Sequence, residues 1–191
     1  MFITLSDKEK QKIIAGKFKG DKICAFGITH YCYEDCPEKD LVKYGDFKLH
    51  SACLKAFLKM QSDARKDGLN LEIVSAYRSS TYQIEVFKRK FTCDIPSDED
   101  FEARLKYSAP SGFSEHHTGL AIDINSTEED FDQTPEYRWL LLYANDYGFE
   151  MSFPKNNTQG LGYEPWHWRF VGLNGKSSKI FQACLSEKLS Q

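Results

Sequence analysis

The amino-acid sequence predicts an α+β fold, in which a single domain carries a mostly antiparallel central sheet with flanking helices. Apolar residues recur at intervals of three and four between His50 and Gly68, which is the period of an amphipathic helix. The runs LNLEIVSAYR, LAIDI and HWRFVG have the composition or the alternation of strands. These segments follow one another without the strict alternation of a parallel sheet, which favours antiparallel pairing.

Further elements are predicted from capping and breaking residues. The segment SSTYQIEVFKRKF begins as a helix in which Ser80 and Gln83 fit a capping box. Residues 92–113 contain two prolines and indicate mostly loop with one short helix. Thr134 and Pro135 suit the N-cap and the first position of a later helix.

The chain before His50 lacks these patterns. Several glycines and one proline interrupt residues 1–48, so short apolar runs there do not extend into long elements. We therefore predict an N-terminal wrapping segment over residues 1–48 and a core over residues 49–191.

Size and charge restrict the class of protein. The 191 residues suffice for one hydrophobic core. A net charge of −3 gives no basic surface for nucleic acid, so a peptide or a polar small molecule is the expected partner. No apolar run approaches the roughly 20 residues of a membrane span, and no signal peptide is recognisable. We expect a cytoplasmic protein from the sequence as written, or a periplasmic or cell-wall protein if a signal has been removed.

Six cysteines would allow three disulfides, but free thiols are expected without a signal peptide. Four of them fall in the first third of the chain, near His30 and His50. A second, structural metal site is therefore an alternative, although no C-x-x-C pair is present. The simpler interpretation is that these cysteines are scattered small apolar side chains.

The segment SGFSEHHTGLAIDI concentrates side chains that bind metals. If LAIDI is a strand, its aliphatic residues share one face and Asp123 lies on the other, beside the small Ala121. Gly119 allows a sharp turn before this strand. Such a turn can bring His116 back over the face that carries Asp123.

A third ligand is expected from the segment GYEPWHWRFVG. Glu164 and His167 lie three residues apart around a proline. Catalytic zinc takes three protein ligands of nitrogen or oxygen type and leaves one position to water. His116, Asp123 and His167 supply that number. Glu164 then remains as a carboxylate beside the metal, where it can accept a proton from water and pass it on.

Three ordered motifs resemble a known family. SEHHTGLAID has the form S-x-H-x-x-G-x-A-x-D, EPWH has the form E-x-x-H, and SAYRSSTYQ is similar to a third block. Together they resemble the VanY-type D-alanyl-D-alanine carboxypeptidases, within the zinc peptidases that include lysostaphin and the hedgehog signalling domain. The resemblance covers residues 50 to 172, about two thirds of the chain, and implies a hedgehog/D-Ala-D-Ala peptidase-like fold.

The resemblance assigns roles to individual residues. It implies one zinc ion held by His116, Asp123 and His167, with Glu164 as the catalytic base. Arg78 matches an arginine that reaches over the substrate carbonyl, where a guanidinium can stabilise an oxyanion. The positions that line the substrate cleft are matched by Ser114 and Gln83. His117 stands at a variable place in the motif, so we interpret it as a neighbour of the site.

From these motifs we expect a zinc carboxypeptidase that releases the C-terminal D-alanine of a peptidoglycan stem peptide or its precursor, across a D,D or an L,D bond. One alternative is an endolysin-like endopeptidase, although such relatives tend to carry Asp in the place of Glu164. A second alternative is a non-enzymatic, hedgehog-like zinc-binding module. Such a module need not keep Glu164 and Arg78.

Overall fold

A computed structural model describes residues 4–89, 91, 93–172 and 181, and it confirms the α+β prediction. The helices are α1 (Asp7–Ile14), α2 (Ser51–Lys66), α3 (Ser80–Lys88), α4 (Asp98–Tyr107) and α5 (Pro135–Tyr143). The strands are β1 (Lys22–Ala25), β2 (Ile28–Tyr31), β3 (Leu41–Tyr44), β4 (Phe47–His50), β5 (Ile73–Ser75), β6 (Ala121–Ile124), β7 (Phe149–Met151) and β8 (His167–Phe170).

The central sheet has the strand order β5-β6-β8-β7, and every neighbouring pair is antiparallel. Its register places Asp123 of β6 opposite His167 of β8 and opposite Ser75 of β5. Residues that face each other in this way have Cβ atoms about 5 Å apart. The sheet thus brings two predicted ligands together although 44 residues separate them in sequence.

The helices that pack on this sheet follow the sequence pattern. Helix α2 buries Phe57 and Met60, which join Ile122 of β6 in the larger hydrophobic cluster. Thr134 is the N-cap of α5, and Pro135 is its first residue, as predicted.

The predicted capping box of α3 is wrong by one residue. Ser79 is the N-cap, and its hydroxyl accepts a hydrogen bond from the amide of Tyr82. Ser80 instead donates from its amide and from its hydroxyl to the two carboxylate oxygens of Asp35, each over 2.8 Å. Asp35 comes from the N-terminal segment, so the capping pattern of α3 alone did not reveal this contact. Helix α4 confirms the short helix predicted within residues 92–113.

The N-terminal segment contains more regular structure than its sequence indicated. Helix α1 precedes two hairpins, β1–β2 and β3–β4. Gly27 and Gly45 lie in the hairpin turns with φ of 77° and 57°, a backbone conformation that glycine adopts without steric cost. Two of the glycines that interrupt the apolar runs therefore form the turns of hairpins.

A second hydrophobic cluster joins this segment to α3 and α4. It contains Ile13, Ile23, Ala25, Ile28, Phe87, Phe101, Leu105 and Phe113. The division into a wrapping segment and a core over residues 49–191 stays a prediction, and most of residues 173–191 lie outside the described part of the chain. Within the described part, no helix has the length and apolarity of a membrane span.

The cysteines described are Cys24, Cys32, Cys36, Cys53 and Cys93, and all have free thiols, while Cys184 lies outside the described residues. The two histidines considered for a second metal site have other partners. His50 Nδ1 accepts a hydrogen bond from the Ala52 amide, and His30 Nε2 donates to the Leu105 carbonyl over 2.8 Å. Among the described residues, the cysteine and histidine side chains of the first third do not form a metal-binding group.

Candidate active site

Three buried side chains meet at the centre of the sheet. His116 lies in a 3-10 turn, Glu115–Thr118, which ends at Gly119 with φ of 66°. A Cβ atom on Gly119 would lie 3.0 Å from the backbone nitrogen of His50, so a larger residue would push this turn away from β4. The turn brings the ring of His116 next to Asp123 and His167.

The ligand atoms of these three residues lie within 4.8 Å of one another. His116 Nε2 is 3.3 Å from one carboxylate oxygen of Asp123, and His167 Nδ1 is 3.0 Å from the other. The two imidazole rings are nearly perpendicular, with centroids 4.9 Å apart. Because each residue is at most 4% exposed, little water is available to solvate their lone pairs and charges.

Hydrogen bonds behind the rings determine which nitrogens face Asp123. His116 Nδ1 lies 2.7 Å from the carbonyl oxygen of Ala76, and a carbonyl only accepts, so Nδ1 donates. Burial, together with the charge of Arg78, lowers the pKa of His116 to about 4. The lone pair of its Nε2 therefore faces a carboxylate oxygen with no proton between them. A cation held between these atoms would remove the repulsion, so the residues fit a metal ion.

The pKa of His167 also indicates that positive charge is favoured at this site. Burial by itself would lower its pKa, but hydrogen bonds to Asp123 and Glu115 outweigh burial and raise the pKa to about 10. For Asp123, burial by itself would raise the pKa, but the proton that His167 donates to it outweighs burial and holds the pKa well below its usual range. Positive charge is therefore favoured between these three residues. Two nitrogens and one carboxylate are a donor set that suits zinc.

Glu164 lies beside this group and outside it. Its Oε2 is 3.7 Å from His167 Nδ1, and its side chain is 19% exposed. Burial raises its pKa to about 7, although the charge of His167 opposes this shift. A carboxyl group with a pKa near neutrality can both accept and return a proton, as a general base requires.

The other predicted residues line the same cavity, which has a volume of about 570 Å³. Arg78 follows β5, and its buried Nε has no hydrogen-bond partner among the described residues. Gln83 of α3 donates to the Ala109 carbonyl over 2.7 Å, whereas its buried Oε1 lacks a partner within the same residues. Ser114 caps the 3-10 turn by accepting from the His116 amide. The cavity thus joins all seven predicted site residues, and Arg78 and Gln83 each carry a buried polar atom without a hydrogen-bond partner among the described residues.

The structure also reveals one residue that the sequence reasoning missed, Glu115, and gives the contacts of His117, which was interpreted as a neighbour of the site. Glu115 accepts hydrogen bonds from the hydroxyl of Ser152, the ring of His167 and the guanidinium of Arg169. His117 donates from Nδ1 to the Arg78 carbonyl over 2.6 Å and accepts at Nε2 from the Gly112 amide. Both ring nitrogens of His117 are therefore engaged with the backbone. The available signal for Glu115 was its position, because it adjoins the predicted ligand His116 in one turn.

The N-terminal segment contributes to the cavity as well. His30 and Tyr33 line it, although both precede the three motifs. Two hydrogen bonds to Gln159 fix the hairpin β1–β2 there. The Thr29 amide donates to the Gln159 carbonyl, and the side-chain amide of Gln159 donates to the Thr29 carbonyl. Sequence patterns of residues 1–48 gave no indication of this contact.

Comparison with known proteins agrees with this geometry. The family profile for VanY, D-alanyl-D-alanine carboxypeptidase, matches residues 46–173, about two thirds of the chain. A D-alanyl-D-alanine carboxypeptidase of Enterococcus faecium is 34% identical over 120 residues, which make up 61% of this chain and 35% of that protein. The match thus spans about a third of the length of this curated relative.

Two solved structures are similar over most of the chain. A vancomycin-resistance D,D-pentapeptidase VanY from a VanB-type cassette, solved with Zn(II), has a TM-score of 0.63 and 27% identity. The match covers 83% of this chain and 97% of that one. The LdcB LD-carboxypeptidase also has a TM-score of 0.63 and 27% identity, with 92% and 80% of the two chains covered. The chain therefore has the fold of these peptidases.

Proposed function

Because the chain belongs to the VanY family of D-alanyl-D-alanine carboxypeptidases, we propose that it is a zinc-dependent carboxypeptidase acting on peptidoglycan stem peptides or their precursors. The observation that carries this proposal is the pairing of the His116, Asp123 and His167 group with a separate, partly buried carboxyl, Glu164, whose pKa is about 7. A binding module has no use for a base in that position.

The chain's own residues supply the groups for peptide hydrolysis. A zinc ion held by His116, Asp123 and His167 would act as a Lewis acid on the substrate carbonyl and would lower the pKa of water. Glu164 accepts the proton of the attacking water and returns it to the amine that leaves. Arg78 places a positive charge at the cavity, where it stabilises the negative charge that develops on the carbonyl oxygen.

Two further residues are suited to hold the peptide. The free Oε1 of Gln83 can accept a hydrogen bond from a substrate amide. Ser114 lines the cavity next to the ligand turn. A substrate amide bound by Gln83 would satisfy a buried acceptor that is otherwise unpaired, and so it would lower the cost of burying it. We assign both residues to substrate binding.

The bond cleaved in the proposed reaction is of the D,D or the L,D type. The VanY neighbour is described as a D,D-pentapeptidase and the LdcB neighbour as an LD-carboxypeptidase. Both are equally similar to this chain by TM-score. The released residue proposed here is D-alanine in either case.

Mass spectrometry of defined muropeptides tests this function. The zinc-loaded protein is incubated with a muropentapeptide and a murotetrapeptide, and the Glu164→Gln variant serves as a matched control. Loss of one C-terminal D-alanine from either substrate by the wild type alone supports the proposal. Release of an internal fragment would identify an endopeptidase, and unchanged peptides with zinc bound would identify a binding module.

A further inference from the structure

Glu115 is a buried carboxylate at the centre of a polar network behind the ligand His167. Glu115 is 4% exposed, and both of its oxygens are occupied. Oε2 accepts from Ser152 Oγ over 2.5 Å and from His167 Nε2 over 3.1 Å. Oε1 accepts from Arg169 Nη1 over 2.7 Å. The donors lie 37 to 54 residues away in sequence, so the tertiary fold assembles the network.

We propose that Glu115 is a positioning residue which fixes the ring of His167 with Nδ1 directed at Asp123 and the metal. The inference rests on the proposed zinc site. A carboxylate only accepts hydrogen bonds, so its contact at Nε2 places a proton there. The lone pair available for a metal is then on Nδ1, the nitrogen that lies 3.0 Å from Asp123. Glu115 thereby selects both the tautomer and the rotation of the ring.

Arg169 holds Glu115 in turn. Its guanidinium binds Glu115 through Nη1 and Glu150 through Nε and Nη2. Arg169 stands two residues after His167 in β8, so both side chains lie on the same face of the sheet. One strand therefore carries the ligand together with the cation that anchors its supporting carboxylate.

The arrangement explains why one short turn precedes the metal-binding strand. Glu115 and His116 are neighbours in the 3-10 turn, but they contact different residues of the proposed metal site. His116 presents its own Nε2 to Asp123, while Glu115 reaches the back of His167. Outer hydrogen bonds of this type typically change metal affinity by about 10- to 100-fold.

Zinc affinity tests the proposal without a measurement of hydrolysis. Glu115→Gln is nearly isosteric, but it replaces one acceptor oxygen with an NH₂ group. This group would face the groups that donate to Glu115 and cannot accept their hydrogen bonds. Glu150→Gln is the matched control, because Glu150 binds the same Arg169 and is not a partner of His167. The dissociation constant for zinc is measured by competition with a chromophoric chelator, and the tautomer of His167 is read from long-range ¹H–¹⁵N spectra of the zinc-loaded proteins.

We expect Glu115→Gln to weaken zinc binding by about 10- to 100-fold and to lose the single Nε2-protonated form of His167, while Glu150→Gln stays near wild type. Equal zinc affinity in wild type and Glu115→Gln, or equal weakening in both variants, would overturn the proposal. If Glu115→Gln does not fold, the zinc affinity of Ser152→Ala, which removes one donor to Glu115, tests the proposal instead. A loss of about fivefold, the worth of one hydrogen bond, supports the role, and unchanged affinity refutes it. A wild type that binds zinc but leaves muropeptides intact refutes the proposed hydrolysis alone.

Discussion

His30 ties the N-terminal hairpin β1–β2 to α4, and it provides a test of how firmly this segment belongs to the fold. The side chain is 3% exposed, and its Nε2 donates to the Leu105 carbonyl over 2.8 Å. Burial lowers the pKa of His30 to about 4, although the hydrogen bond to Leu105 opposes the shift. In the unfolded chain the pKa returns to about 6.5.

The sign of the pH effect follows from these two values. Between pH 6.5 and pH 4 the unfolded chain binds a proton at His30 that the folded chain does not bind. The stability that His30 contributes is therefore present above pH 6.5 and is lost as the pH falls towards 4. The loss at pH 5 relative to pH 8 is about 2 kcal/mol. In a protein of this size, that corresponds to roughly 4 to 8 °C in melting temperature.

The assay compares wild type with His30→Gln by urea unfolding at pH 8, 6 and 5, both metal-free in chelator. Glutamine keeps an N–H that can donate to Leu105, but it does not titrate. We expect the variant to become more stable relative to wild type by about 2 kcal/mol between pH 8 and pH 5. Other titrating groups are common to both proteins and cancel in this difference. A difference that stays constant with pH would show that His30 is solvated or that β1–β2 unfolds separately from the rest.

Further predictions concern the metal, the chemistry and the thiols. His116→Ala should lose zinc and activity together, and stoichiometric zinc in this variant would contradict the ligand assignment. Glu164→Gln should keep about one zinc per chain while turnover falls about 10²- to 10⁴-fold, and parallel loss of zinc would make Glu164 a ligand. Arg78→Ala should also keep zinc and slow turnover about 10²- to 10³-fold, and wild-type turnover would exclude its proposed role. All six cysteines, including Cys184, should react with an alkylating agent after denaturation without reductant, and three protected pairs would indicate disulfides.

The approach of His116 to Asp123 could be predicted from sequence because it depends on local rules. The alternation of LAIDI placed Asp123 opposite the aliphatic face, and Gly119 indicated the turn that returns His116 to it. The position of His167 required one tertiary step, the antiparallel pairing of β6 with β8. Periodicity does not specify which strands pair, so His167 could be predicted only from the combination of the motifs.

The remainder depended on contacts between distant segments. Ser80 loses its predicted capping role because Asp35, 45 residues earlier, accepts its hydrogen bonds. Glu115 had no local signal beyond its neighbour His116, since a lone Glu in a turn is usually a surface residue. The free-energy cost of burying its charge is offset only because Arg169, 54 residues later, donates a hydrogen bond to it.

The turn Glu115–Thr118 connects these contacts, and its chemistry follows from three consecutive side chains. Glu115 supports His167, His116 faces Asp123, and His117 holds the carbonyl of Arg78. These three consecutive residues thus contact three different residues of the site, and all of those residues lie around one cavity. Because the three share one short backbone segment, a shift of the turn displaces the proposed metal ligand His116, the carboxylate that supports His167 and the attachment of Arg78 at once. Substitutions in this turn should therefore combine non-additively with substitutions of His167 or Arg78, as expected for residues that share partners.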